Sequence, residues 1–217
     1  MKVKDKRIIV TGAGSGIGRE LTLQLLSKGA YVAALDINEQ ELNKTKEIAN
    51  NNRLTLHIVD MANEESINKF KDEYFKNYSV IDGIINNAGI IQPFINVDKL
   101  NMDIIYKVMD VNFYGPVKLT KLFLPELLNT NVKVTLVLPG AINTNITKNS
   151  NVDFGNSENN SKIKMLSSTK AAEIIINGIE KDKFKIYVGT DSKIMNIMYK
   201  MNDKFAIKLV NKKMQGK

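Results

Sequence analysis

The 217-residue sequence has no cysteine, no tryptophan, one histidine and four prolines. Without thiols there is no disulfide framework, no thiolate metal site and no cysteine nucleophile, and no metal is expected. No apolar run approaches the ~18 residues that span a bilayer. The opening M-K-V-K-D-K-R passes directly into apolar residues without a signal-peptide core, so a soluble, cytoplasmic chain is the expectation. Acids are outnumbered, 23 against 31 lysines and arginines, for a net charge of +8. The basic residues are spread along the chain and lack the interleaved aromatics of a base-stacking platform, which argues against nucleic acid. With 43% hydrophobic residues the chain can bury one sizeable core, so a single domain over 1–217 is predicted.

What is present is concentrated between Ile8 and Gly18, I-I-V-T-G-A-G-S-G-I-G. A β-branched run empties into Gly12, Gly14, Gly16 and Gly18 and then into a helix-like run, Arg19 to Lys28. Strand, tight turn and helix in this order leave backbone N–H groups free to face a pyrophosphate, and a side chain in the turn would keep it away. A second apolar run, Tyr31 to Leu35, ends in Asp36. A carboxylate there can accept hydrogen bonds from both adenosine ribose hydroxyls and repels a 2′-phosphate, which favours NAD over NADP.

Residues Asn38 to Asn50 read as a surface helix, Leu54 to Val59 as a third strand closing on Asp60 and Met61, and Glu64 to Asn77 as a helix with Ile67, Phe70, Tyr74 and Phe75 on one face. His57 lies inside the third strand, where a structural role is expected, because sites in open α/β sheets lie beyond the strands' carboxyl ends. Val80 to Ile85 is a fourth strand, running into Asn86-Asn87-Ala88-Gly89. Strands and helices alternating at this spacing predict an α/β, doubly wound, mostly parallel sheet of Rossmann type.

Thr11-Gly12-x3-Gly16-x-Gly18, Asp36, Asp60, Asn86-Asn87-Ala88-Gly89, Asn112 in V-N-F-Y-G and the turn Pro139-Gly140-Ala141-Ile142-Asn143-Thr144 together resemble the short-chain dehydrogenase/reductase family, in order and over nearly the whole chain. The resemblance implies hydride transfer between NAD and a secondary alcohol or ketone. It places Thr11, Gly12, Ser15, Gly16, Ile17 and Gly18 at the pyrophosphate turn, Asp36 on the ribose, and Asp60 and Met61 beside the adenine. Asn87, Ala88 and Gly89 would line the cofactor, and Pro139, Gly140, Ile142 and Thr144 would border the nicotinamide.

The family moves the hydroxyl proton with a tyrosine, a lysine four residues later and an upstream serine, which fall between the equivalents of Asn112 and Pro139. Here only twenty-six residues lie between those positions, with no serine among them. Asn112 is the one surviving position of the catalytic set. The single Tyr-x3-Lys match, Tyr114 to Lys118, contains Gly115 and Pro116 and reads as a helix start with a solvated lysine. The sequence Glu126-Leu127-Leu128 resembles both the helix after the fourth strand and the end of the next helix, the signature of one excised βα unit. Such a removal preserves every crossover's hand, and Val132 to Leu138 is then expected to take the vacated place beside the fourth strand. The family pairs through two long helices, of which the second is missing here, so any homo-oligomer has to be built differently. A non-enzymatic NAD-binding or scaffold role is the alternative.

Residues 143–168, rich in Asn and Ser, resemble the family's mobile substrate-covering loop, although an ordinary polar loop has the same composition. Thr169 to Lys181 reads as a helix with Ser168 as N-cap, and Phe184 to Val188 as the last strand. From Lys193 to Lys217 seven lysines face one acid, with Ile194, Ile197, Met198, Met201 and Phe205 at helical spacing. That basic amphipathic helix can lie on an anionic membrane or, as is commoner, pack on the body or on a partner subunit.

Overall fold

Four runs of β-branched and apolar residues form one parallel sheet: β1 (Arg7–Thr11), β2 (Tyr31–Asp36), β3 (Leu54–Ile58) and β4 (Gly83–Ile85), in the order β3-β2-β1-β4. The computed structural model describes residues 1–93, 95–130, 132–150 and 165–214. Between the strands run α1 (Gly16–Ser27), α2 (Glu39–Ala49) and α3 (Glu64–Asn77), so β1 to β3 are linked by helical crossovers as predicted. Asn38 and Asn63 cap α2 and α3 by accepting from the N–H groups of Glu41 and Ser66. After β4 come α4 (Met102–Met109), a π-helical turn (Asp110–Tyr114) and α5 (Gly115–Leu128), which carries Pro125.

The second half is built on β5 (Leu136–Pro139), β6 (Ile142–Asn143), α6 (Ile146–Asn149), β7 (Leu166–Ser167), α7 (Ser168–Glu180) and β8 (Lys185–Val188), followed by α8 (Thr190–Met201) and α9 (Asp203–Met214). Here the structure corrects the sequence reading. β5 pairs in parallel with β8, Leu136 opposite Lys185 through Pro139 opposite Val188, and does not join β4. Among the described residues no backbone hydrogen bond links β4 to β5. Each is therefore an edge strand where a continuous doubly wound sheet would have an interior: Leu136 is exposed, and Val134, just before β5, is 77% exposed. The register of β5 is fixed by its partner's pattern, with Leu136 N–H bonded to the Phe184 carbonyl at 2.8 Å and Gly140 N–H to Val188 at 2.8 Å.

One face holds the two halves together. Ile8, Val10, Leu21 and Leu25 share a core with Ala172, Ile175, Ile176, Ile186 and Val188, and α1 packs along α7. On the other face Ile9, Leu35, Ile67, Phe70, Tyr74, Leu119, Phe123 and Leu127 form a second core, in which α3 and α5 cover β1, β2 and β4. β5 and β8 contribute no buried residue to that second core.

Two smaller corrections follow. The N-cap of α7 is Ser167, whose hydroxyl accepts from Lys170 N–H, while Ser168 is the first helical residue and donates to the Asn143 carbonyl at 2.7 Å. The tail is two helices broken at Asn202, whose side chain caps α9 through Phe205 N–H. Of the loop predicted over 143–168, residues 151–164 lie outside the described residues, and the part before them is ordered as α6.

Candidate functional site

Three of the sequence's singled-out stretches meet beyond the carboxyl ends of β1, β2 and β4. Thr11, fully buried at the end of β1, uses its hydroxyl oxygen to accept from Asn87 N–H at 3.0 Å and Ala88 N–H at 2.9 Å. Asn87 returns the contact, its carboxamide donating to the Thr11 carbonyl at 3.0 Å. The two strand exits are thus laced together side by side. Gly12 then turns with φ of +67°, and a Cβ there would sit 2.9 Å from the Ala88 backbone. At Gly18 a Cβ would overlap the Gly12 carbonyl, so the helix and the turn can approach this closely only through glycine.

Asp36 closes the second side. Its Oδ2 accepts from Gly14 N–H at 2.9 Å and its Oδ1 from Asn38 N–H at 3.0 Å, which aims the carboxylate across the glycine turn. Behind it stands a bracket that the sequence reading did not identify. Arg19 donates to the Gly14 carbonyl, to Glu41 Oε2 at 2.7 Å and, through Nε, to Thr45 Oγ1 at 3.0 Å, with the Thr45 hydroxyl also 3.1 Å from the Ala13 carbonyl. The signal available beforehand was the spacing of Thr45 three residues after Leu42, on the same side of the helix. The Lys44 hydrogen bond, opposed by burial and aided by Arg19, holds the Glu41 carboxyl below its usual range. Its contribution to stability is therefore present above the ordinary carboxylate pKa and is lost as pH falls through the lowered value. Arg19→Met should destabilise the protein by about 1.5 to 3 kcal/mol, the range for charge-assisted hydrogen bonds, as read from urea unfolding.

α1 starts differently from its neighbours. Ser15, in extended conformation, gives no side-chain cap, and no acid stands in the first turn, whereas α2, α3, α4 and α7 are capped by Asn38, Asn63, Asn101 and Ser167. The first N–H groups of α1 are left as donors beside Gly12 and Gly16, an arrangement suited to an anion.

Asp60 is used locally, its Oδ1 accepting from Ala62 N–H at 2.9 Å, and Met61 is buried with its carbonyl against Gly115. Asn112, in the π turn, makes a reciprocal pair with Ile90: Oδ1 accepts from Ile90 N–H at 2.9 Å and Nδ2 donates to its carbonyl at 2.8 Å. It braces the Asn86-to-Ile90 exit, with Gly89 beside its carboxamide. The turn after β5 is fixed by Asp191, which accepts from Ala141 N–H at 2.6 Å and lies against Gly140. This turn brings Thr144 against Gly16, while Ile142 pairs with Leu166. α6 lies over the cleft: Asn149 donates to Ser15 Oγ at 3.0 Å, and Ser150 Oγ accepts from Ile91 N–H at 3.0 Å. Neither Asn149 nor Ser150 was distinguishable from its Asn- and Ser-rich surroundings in the sequence.

The proton-transfer candidates do not assemble. Tyr114 is half exposed at the start of α5, and Lys118 is paired with Glu64 at 3.0 Å, facing α3. His57 packs edge-on to Phe70 at 4.9 Å and contacts Thr55 Oγ1 at 3.0 Å; burial pushes its pKa down. It lines an open groove of about 490 Å³ beside β3, and a separate cavity of about 120 Å³ lies at the amino ends of β1 to β3; both are away from the glycine turn.

The short chain dehydrogenase family model matches residues 6–131, more than half of the chain. This chain belongs to the short-chain dehydrogenase family. Within it, the chain is 27% identical to a Mycobacterium tuberculosis protein that carries the name oxidoreductase SadH, over 249 aligned positions covering 90% of each. It is 29% identical over 144 residues to 11-beta-hydroxysteroid dehydrogenase-like 3 of Arabidopsis thaliana, covering 65% of this chain and only 47% of that relative. In fold it is similar to short-chain dehydrogenases from Burkholderia phymatum, solved with NAD (TM-score 0.75, 15% identity, 93% of this chain and 96% of that one), and Burkholderia cenocepacia, solved with NADP (TM-score 0.75, 19% identity, 94% and 96%). No helix among the described residues is long and apolar enough to cross a membrane.

Proposed function

We propose that this family member binds a nicotinamide dinucleotide, NAD in preference to NADP, and that the chain as it stands lacks the group that moves the substrate's proton. The observation that carries the binding half is the cradle: uncapped α1 donors, a glycine turn no Cβ could enter, and the Asp36 carboxylate aimed across it. The residues fit the cofactor. Gly12, Gly16 and the first N–H groups of α1 would hold the pyrophosphate, and Asp36 the ribose hydroxyls. Asp60 and Met61 would border the adenine. Asn87, Ala88 and Gly89 would line the cofactor, while Ile142 and Thr144 would lie beside the nicotinamide carboxamide. When bound, the cofactor supplies or accepts a hydride. NAD is favoured because the nearest arginine, Arg19, is already committed to Glu41 and Gly14 and is not free to meet a 2′-phosphate.

The catalytic half rests on the edges of β4 and β5. Among the described residues each has one edge open where the sheet would be continuous, an opening of the kind that removal of one strand would leave. The alignment to the mycobacterial relative is longer than this chain, so it passes over roughly 30 or more positions of that relative, about the length of one strand-and-helix unit. The family match also stops at residue 131, just before β5. The family reaction, hydride exchange with a secondary alcohol or ketone, would then need a strand-and-helix unit that this chain does not carry, and this chain would serve as a dinucleotide binder or scaffold.

Fluorescence titration tests the binding half. NADH is expected to give a saturable signal with NADPH binding at least about tenfold weaker, since losing favourable contacts and adding repulsion at one carboxylate exceeds 1.4 kcal/mol. Equal affinities would remove the NAD preference, and no signal with either would remove the cradle. With NAD and a panel of secondary alcohols, turnover should stay at background and be unaltered by Tyr114→Phe.

A further inference from the structure

The hairpin α8–α9 presents an apolar face that the other described residues leave exposed. α8 packs against α9 and β8, and none of its residues is fully buried. Its roll is fixed from the inside by polar contacts. Ser192 donates to the Leu138 carbonyl at 2.6 Å, and Asn196 Oδ1 accepts from the Tyr187 hydroxyl at 2.9 Å. Ile194, Ile197 and Met201, at i, i+3 and i+7, fall on the opposite side of the helix from Ser192 and Asn196. They are 50%, 56% and 82% exposed. An outward stripe of this kind is held in place by the inward hydrogen bonds.

Cations outnumber acids around the stripe, four to two. Lys193 and Lys200 on α8 and Lys204 and Lys208 on α9 are exposed, and among the described residues none is in an ion pair. The two acids of the hairpin are engaged at the backbone, Asp191 with Ala141 N–H and Asp203 with Lys204 N–H. Phe205, 58% exposed at the start of α9, adds an aromatic at the break.

We propose that α8–α9 docks flat on an anionic lipid bilayer, with Ile194, Ile197 and Met201 in the headgroup boundary and the lysines, their stems laid along the apolar surface, reaching acidic headgroups. The partner follows from complementarity: an apolar stripe flanked by four exposed lysines, with the two acids of the hairpin held at the backbone, fits a surface that is apolar below and negative above. A polynucleotide would satisfy the lysines and leave the aliphatic stripe in water.

Co-sedimentation of the full chain with vesicles of phosphatidylcholine containing roughly one-third phosphatidylserine, against phosphatidylcholine alone, tests this. The chain should pellet with the anionic vesicles and not with the neutral ones, and high salt should release it. Both Ile197→Asp/Met201→Asp and Lys200→Gln/Lys204→Gln/Lys208→Gln should lower partitioning at least tenfold while leaving the circular dichroism spectrum unchanged. Absence of pelleting by the wild type, or pelleting that survives either variant, overturns the proposal. So does a wild-type dimer that the apolar variant converts to monomer without any lipid binding, since the face would then serve a second copy.

Discussion

Asp36→Ala should weaken NADH binding by about a hundredfold. Hydrogen bonds to a charged acceptor contribute roughly 1.5 to 3 kcal/mol each, and two ribose hydroxyls converge on this carboxylate in the proposed complex, so even the low end of the range gives two orders of magnitude. The same change removes the repulsion of a 2′-phosphate, so NADPH affinity should fall far less or rise, narrowing the gap between the two cofactors. Part of the loss comes from the protein itself, because Gly14 N–H and Asn38 N–H lose their acceptor and the turn is no longer held open. Asp36→Asn separates the contributions: one oxygen remains for Gly14, the charge is gone, and binding should fall between wild type and alanine. An unchanged NADH affinity in both variants would mean that the carboxylate does not face the ribose.

Phe123→Ala should destabilise the protein by about 3 to 5 kcal/mol, enough to unfold much of a marginal domain at room temperature. Phe123 is fully buried, with Phe75, Tyr74 and Phe70 at ring-centroid distances of 5.2, 5.5 and 5.8 Å, and with Leu119 and Leu127 it carries α5 into the core shared with α3. The contrasting substitution is Val134→Lys. In a continuous sheet a lysine beside a central strand would be costly, yet next to the open edge of β5 it faces water and should change stability by no more than about 0.5 kcal/mol. Urea unfolding of the two variants therefore reports both the strength of the second core and the opening beside it.

How far the sequence could be read followed from where the information was local. Glycine spacing, the acid at the end of β2 and the helical period of Glu64 to Asn77 are short-range signals, and α3 emerges with the boundaries they predict. Asn112 could be singled out by resemblance, but its pairing with Ile90 depends on a π turn that no periodicity announces. The position of β5 was the principal misreading. A hand rule permits Val132 to Leu138 to close on β4, but the choice was decided by competition between edges. β8, delivered by α7 against α1, offers four parallel partners to Leu136–Pro139, and β4 is only three residues long. Arg19, Thr45 and Asp191 act through contacts 22 to 50 residues away, which a motif reading does not reach.

The most direct test of whether this polypeptide keeps the nucleotide cradle without a proton relay is the fluorescence of NADH bound to it, followed after excess ketone is added. On the proposed reading the enhanced signal should form on titration and then persist undiminished across a panel of ketones, because among the described residues Tyr114 is half exposed and Lys118 is held by Glu64. Decay of that signal to oxidised cofactor, at a rate proportional to protein and abolished by a single side-chain replacement, would contradict the account.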